Sequence, residues 1–339
     1  MASIGKGCQE QTGQPLQSAC NKLEHNPLPK ELGALIKRRR NAPLKNKKRN
    51  APRRAVFKKT MTLKALILRP LLALMVLGAF FYAIEKIAGR SRPQRVFRKG
   101  YATDLMYFFT APLMKIVVKG VVLIPAAILL LFHLTTPQEL RGGLYHGYGP
   151  LSRQPGWLQG IQIYLLVDFL GYWTHRLFHT GKWWPFHAVH HSSEDVDWLA
   201  SVRVHPINEL VDRLAQATPV LLLGYNPTLT LATAPILTLY AIVLHANVNW
   251  DYGPLRALLS SPVFHRWHHS NEPEARDKNF AGMLPLWDVL FGTYYMPKNR
   301  VPANFGIDSP MPNGFFSQLW EPFKNLRPAS RKAADQTRP

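Results

Sequence analysis

The sequence predicts an all-α integral membrane protein: a helical bundle of about four spans, with a further hydrophobic helix near the N-terminus as candidate fifth. Three observations carry this prediction. Apolar residues make up 47% of the 339 and gather in runs long enough to cross a bilayer as helices. Ten of the thirteen histidines fall between positions 175 and 269, where those runs end or turn back. The net charge of +22 is concentrated in one tail and one loop.

Residues 1–60 contain no apolar run and carry fifteen Lys/Arg against Glu10, Glu24 and Glu31. That composition predicts a poorly ordered basic tail. Basic tails can bind nucleic acid, but no zinc-finger or RNP-type signature accompanies this one. Its place beside apolar spans favours a membrane surface, so no nucleic-acid partner is expected. Cys8 and Cys20 both lie in the tail, and no disulfide framework holds the body. The first apolar core comes too late for a cleaved signal peptide. Met61 offers an alternative start; an N-terminal peptide from upstream of it would remove that option.

Residues 61–100 predict a hydrophobic helix and a basic loop. The stretch 70–84 is fifteen uncharged residues, and 63–68 extends it towards the roughly 20 needed to span, despite Lys64 and Arg69-Pro70. The loop holds Lys86, Arg90, Arg92, Arg95, Arg98 and Lys99. It could dock an acidic partner or lipid headgroups.

The next unit, 101–298, begins with an apolar stretch at 105–134 and a Pro/Gly-containing linker at 135–156. A third apolar stretch at 161–178 ends in the first histidine pair. Apolar runs at 210–225 and 229–245, split by Asn226-Pro227, predict a helical hairpin that enters the membrane and returns. Residues 299–339 read as a polar, basic C-terminal tail with one aromatic patch at 315–323.

Charge orients this bundle. The histidine clusters on either side of the hairpin can meet only if they share one face of the bilayer. Spans at 105–134 and 157–178 bring the 86–104 loop to that same face. Its six Lys/Arg outnumber Arg141 and Arg153 of the opposite linker, so the histidine face is expected to be cytoplasmic. One conflict remains: if 63–84 spans, the basic tail lies outside. Protease protection of a tag at residue 1 decides it.

The histidines fall into three clusters and two singles. The clusters are His175-x-x-x-His179, His187-x-x-His190-His191 and His265-x-x-His268-His269. Helical residues three and four apart share a face, so each cluster can converge on a metal ion. Adjacent imidazoles such as His190 and His191 point about 100° apart and can serve two different ions. His205, followed by Pro206, and His245, at a span end, are further candidate ligands. His133 and His146 read as core or interface residues. Asp168 lies seven residues before His175 on the same helical face. It could orient a ligand histidine from behind, or pair with Arg176 or another basic group.

Imidazole suits iron, copper and zinc, so two other classes must be weighed. A zinc hydrolase places a glutamate after the first histidine as general base, where this chain has Arg176, Ala188 and Arg266. A transporter site sits near the bilayer midplane, whereas these histidines lie at span ends.

Together the motifs resemble the sterol desaturase/fatty acid hydroxylase superfamily of membrane-bound di-iron oxidoreductases. The resemblance covers 104–295. Beyond the histidines it includes Tyr172-Trp173, Arg203-x-His205-Pro206 and Trp287-Asp288-x-x-Phe291-Gly292-Thr293. It implies a membrane bundle topped by a cytosolic, histidine-rich cap that binds two iron ions. It also implies O₂-dependent attack on a lipid C–H bond: hydroxylation, desaturation or ether-bond oxidation. Electrons would come from an external reductant: cytochrome b5, a ferredoxin or an NAD(P)H-linked reductase. The chain has no His-Pro-Gly-Gly haem motif and no G-x-G-x-x-G, so that donor would be a separate protein.

Overall fold

Every long element is a helix, and the reason lies in the apolar runs: backbone in lipid must satisfy its own hydrogen bonds. The computed structural model describes residues 63–326; the 1–60 tail and the Met61 alternative fall outside them. Among the described residues there is no strand, only the isolated bridges Arg90–Val248 and Ser270–Phe305.

Helix α1 runs over Leu63–Ala88, and Gly89, at φ +76°, ends it. Its stretch Ile67–Ala88 is 22 residues with mean hydropathy 2.1. Ile67, Leu68, Leu71, Leu72, Met75 and Val76 are all exposed. In water each would forgo about 1.5–3 kcal/mol of burial, a sum of roughly 10 kcal/mol or more that rivals the stability of a whole domain. Such a face belongs against lipid. The opposite face docks Leu77, Phe81 and Ile84 on Ala246, Val248 and Trp198.

Helix α2 covers Tyr101–Leu131. Gly100 caps it at φ +78°, where a Cβ would meet Arg203 Nη2 at 2.5 Å, so only glycine fits. The expected linker contains a helix, α3 (Pro137–His146), started by a capping box between Thr136 and Glu139. The Thr-x-x-Glu signal was present in the sequence. Helix α4 (Gly156–Phe178) packs along α6 (Pro206–Leu222), and α6 packs along α2. Asn226 caps α7 (Pro227–Leu244), which leads the chain to His245. Helix α7, with mean hydropathy 1.7, is the second described helix long and apolar enough to span.

Three short helices complete the histidine-bearing region: α5 (Trp184–His191), α8 (Pro262–His268) and α9 (Leu286–Leu290). The C-terminal region is not simply a tail. Its aromatic patch forms α10 (Phe315–Asn325), whose Phe315 packs against Tyr107 at 4.7 Å and whose Gln318 is buried. The spacing Phe315, Gln318, Leu319 and Pro322 puts these residues on one helical face.

Candidate metal centre

Nine of the ten candidate histidines converge in two adjacent groups. His175 and His179 from α4, His187 and His191 from α5 and His268 from α8 form the first. His190, His245, His265 and His269 form the second. Within each five-residue cluster the first and last histidines serve one group, and the fourth crosses to the other. The exchange is reciprocal: His190 leaves α5's group and His268 leaves α8's. One turn of helix returns i+4 to the same side, whereas i+3 lands on the other flank of the ring stack. The groups touch through His191 and His269, whose rings stack at 4.5 Å.

Hydrogen bonds fix which nitrogen faces inward. His175 Nδ1 donates to the Phe280 carbonyl at 2.7 Å, His187 Nδ1 to Asn208 Oδ1 at 2.7 Å, and His190 Nδ1 to the Arg203 carbonyl at 3.0 Å. His245 and His268 donate likewise to the Ala241 and Lys278 carbonyls, both at 2.8 Å. Asp277 Oδ1 holds His179 Nδ1 at 3.1 Å. A carbonyl oxygen can only accept, so these Nδ1 atoms carry the proton and their Nε2 atoms are bare lone pairs.

Those bare nitrogens face one another. His175 Nε2 lies 3.0 Å from His187 Nε2, and His190 Nε2 lies 3.2 Å from His245 Nε2. Neither atom of either pair has a proton to share. His179 Nε2 and His268 Nε2 are buried with no partner at all. Two nitrogens about 2.1 Å from one ion and about 90° apart would themselves be about 3.0 Å apart. The donor set therefore fits one cation in each group, and it is imidazole throughout.

Burial pushes His187, His190, His191, His265, His268 and His269 well below the usual histidine range, and neighbouring imidazoles add to the effect. At neutral pH all six are unprotonated, the form that binds metal.

One loop supplies three of the outer contacts. Between Asp277 and Phe280 it gives the Asp277 carboxylate to His179, the Lys278 carbonyl to His268 and the Phe280 carbonyl to His175. Two buried carboxylates pin the segment from Phe280 to Trp287. Asp288 accepts from the N–H groups of Phe280 and Ala281 and from the Thr293 hydroxyl, at 2.8, 2.8 and 2.6 Å. Asp168 accepts from the N–H groups of Met283 and Leu284 and from the Trp287 indole at 2.9, 3.0 and 2.9 Å. The expectation for Asp168 is thus corrected: it touches neither a ligand histidine nor Arg176, and holds the loop behind His175 instead. The loop's backbone donors outcompete both expected partners because they are fixed by its turn.

His205 is the second correction. It lies outside both groups: its Nδ1 accepts the Ile207 N–H, capping α6, and its Nε2 donates to the Leu319 carbonyl. Pro206 starts the helix immediately after it, which turns the ring towards α10. Its neighbour Arg203 does belong to the site's frame. Arg203 and Arg98 share Asp104 at 2.5 and 2.8 Å, and Arg98 also pairs with Asp197 at 2.6 Å. Of the basic 86–104 loop, then, Arg98 is buried and spent internally. No spacing signal pointed to Asn208, Asp277 or Asp197; each is a polar residue whose role appears only when distant segments meet.

The fatty acid hydroxylase family matches residues 161–293. The ornithine lipid hydroxylase OlsE of Rhizobium tropici is 31% identical over 207 residues, 60% of this chain and 62% of that protein. The alkylglycerol monooxygenase of Danio rerio is 30% identical over 178 residues, 50% of this chain and 39% of that protein. A very-long-chain aldehyde decarbonylase of Oryza sativa is 29% identical over 140 residues, 38% of this chain and 21% of that protein. The chain therefore spans less than two thirds of the length of these relatives. No solved structure matches it.

Proposed function

We propose that this chain, whose residues 161–293 match the fatty acid hydroxylase family, is a membrane-bound di-iron oxygenase that hydroxylates or desaturates a lipid. The observation that carries the reading is the pair of facing, proton-free Nε2 couples, His175–His187 and His190–His245, each needing a cation between its members. The relatives' names, a lipid hydroxylase and an alkylglycerol monooxygenase, support a lipid substrate.

Hydroxylation balances as R–H + O₂ + 2e⁻ + 2H⁺ → R–OH + H₂O, with the electrons drawn from a separate donor protein. Two irons, when bound, supply the binding and reduction of O₂. The chain's own residues do the rest. Nine imidazoles stay neutral through burial and hold their Nε2 atoms inward through fixed Nδ1 contacts. Phe178, Phe264 and Phe280 are fully or almost fully buried around the groups and keep water away.

For topology, we infer spans at α2, α4, α6 and α7, with α1 entering the same bilayer and ending on the histidine side. The Arg90–Val248 bridge and the Ser91–Asn247 hydrogen bond support that placement, because both tie the loop after α1 to residues just beyond His245. Lys86 in the last turn of α1 and Arg95 and Lys99 on that loop favour the cytoplasmic face, of either a cytoplasmic membrane or the endoplasmic reticulum.

Metal content and O₂ uptake test the reading together. Iron near two per chain, with lipid-dependent O₂ uptake on reduction, is expected. Zinc alone, with hydrolysis of a lipid ester, would overturn it.

A further inference from the structure

Beside the metal centre, between α1 and the loop after it, lies a crevice of about 330 Å³. Gly78, Ala79 and Tyr82 of α1 form one wall, Gln94 and Arg95 the other, and Trp198 the back. Trp198 stacks on Phe81 at 5.6 Å, and Phe81 packs on Ala246, the residue after His245. Phe81 and Ala246 thus link the back of this crevice to His245. The front is different: Tyr82 and Phe80 are exposed on the lipid-facing side of α1.

The floor is ionic, and its carboxylates are already engaged. Asp197 takes Arg98 at 2.6 Å and the Gln94 amide at 2.9 Å, and Glu85 pairs with Arg90 at 3.3 Å. Positive charge is left over at the mouth, where Arg95 is exposed and Lys86 lies over the Tyr82 ring at 5.8 Å. Arg90 Nε is engaged by Glu85, and among the lining residues the buried Gln94 Oε1 makes no hydrogen bond. That oxygen is an acceptor that suits a hydroxyl, amide or ammonium hydrogen, while the exposed Arg95 and Lys86 are the cations that suit an anionic oxygen.

We propose that this crevice binds the anionic headgroup of the lipid whose chain is oxidised. The headgroup oxygen meets Arg95 and Lys86, a neighbouring donor group meets Gln94, and the chains leave along the apolar wall at Gly78 and Ala79. A free phosphate would use the cations but leave that wall empty. The substrate class is then a charged membrane lipid rather than a sterol or a free neutral glyceryl ether. This inference rests on the lipid-oxidising reading above.

The test is native mass spectrometry of the metal-loaded full chain in detergent, with dioleoyl phosphatidate as probe and dioleoylglycerol as uncharged control. Wild type is expected to retain phosphatidate about tenfold better than dioleoylglycerol, the ratio one charge-assisted contact supplies. Arg95→Glu, at an exposed position, lowers that retention about tenfold with metal content unchanged. Gly78→Leu, which fills the crevice, does the same; its Cβ meets Trp198 at an ordinary 3.7 Å. Equal retention of the two lipids, no effect of either substitution, or displacement by millimolar inorganic phosphate overturns the proposal. Failure of the oxygenase reading would look different: no O₂ uptake with any lipid, while phosphatidate retention stays selective.

Discussion

Asp288 reaches His175 through a single residue: its Oδ1 accepts the Phe280 N–H at 2.8 Å, and the Phe280 carbonyl accepts from His175 Nδ1 at 2.7 Å. Asp288 is completely buried, so its charge is held in place by those donors and the Thr293 hydroxyl alone. Asp288→Asn keeps the shape but loses at least one of the three contacts. Outer contacts of this kind are worth about 10- to 100-fold in metal affinity. Bound metal is expected to fall towards one ion per chain, lost from the five-histidine group that contains His175. Two ions per chain in the variant, by elemental analysis at limiting metal, would show that Asp288 only braces the fold.

His205 and His190 should separate cleanly. His205→Ala removes the α6 cap and the contact to Leu319, a cost of about 1 kcal/mol in thermal stability. Metal content stays at the wild-type level. His190→Ala and His268→Ala each remove a convergent Nε2 and reduce bound metal. Equal metal loss in His205→Ala would return that residue to the ligand set.

The long apolar helices, the break at Asn226-Pro227 and the histidine clusters were legible because each is a local pattern: an apolar run, an Asn-Pro break, an i/i+3/i+4 spacing. Helix α10 and the roles of His205 and Asp168 were not. His205 shares its motif with Arg203, and only the path of the chain shows that the Arg203 carbonyl, not the His205 ring, faces His190. Asp168 sits on His175's helical face, yet its partners, Met283, Leu284 and Trp287, lie more than a hundred residues away. Spacing along one helix cannot reveal which distant loop will supply the donors.

The ion-pair frame around Asp104 predicts a non-additive result. Asp104 is fully buried and shared by Arg203 and Arg98. Arg203→Met strips one cation from a buried carboxylate, at a cost of about 3 kcal/mol or more. It also frees the backbone that holds His190, so metal content falls as well. Replacing both partners, Asp104→Leu with Arg203→Met, removes the uncompensated charge and should destabilise less than Arg203→Met alone. Thermal melts in detergent measure the difference; a double variant that is worse by the sum of its parts would mean the pair is not coupled.

Acid should unfold the metal-free protein earlier than its carboxylates would require. His187, His190, His191, His265, His268 and His269 are held below their ordinary range by burial and by one another. In the unfolded chain each takes up a proton near pH 6.5. Below that pH the unfolded state therefore binds more protons than the folded one, and stability falls as pH falls, by up to about 1.4 kcal/mol per pH unit for each histidine. Above about pH 7 both states are neutral and the dependence flattens. Bound metal should shift the onset to lower pH, because it adds a ligand that only the folded state holds. Melting temperature against pH, with and without metal, checks this; a metal-free protein whose melting temperature is flat from pH 7 to 5 would mean that the imidazoles are not desolvated as a group.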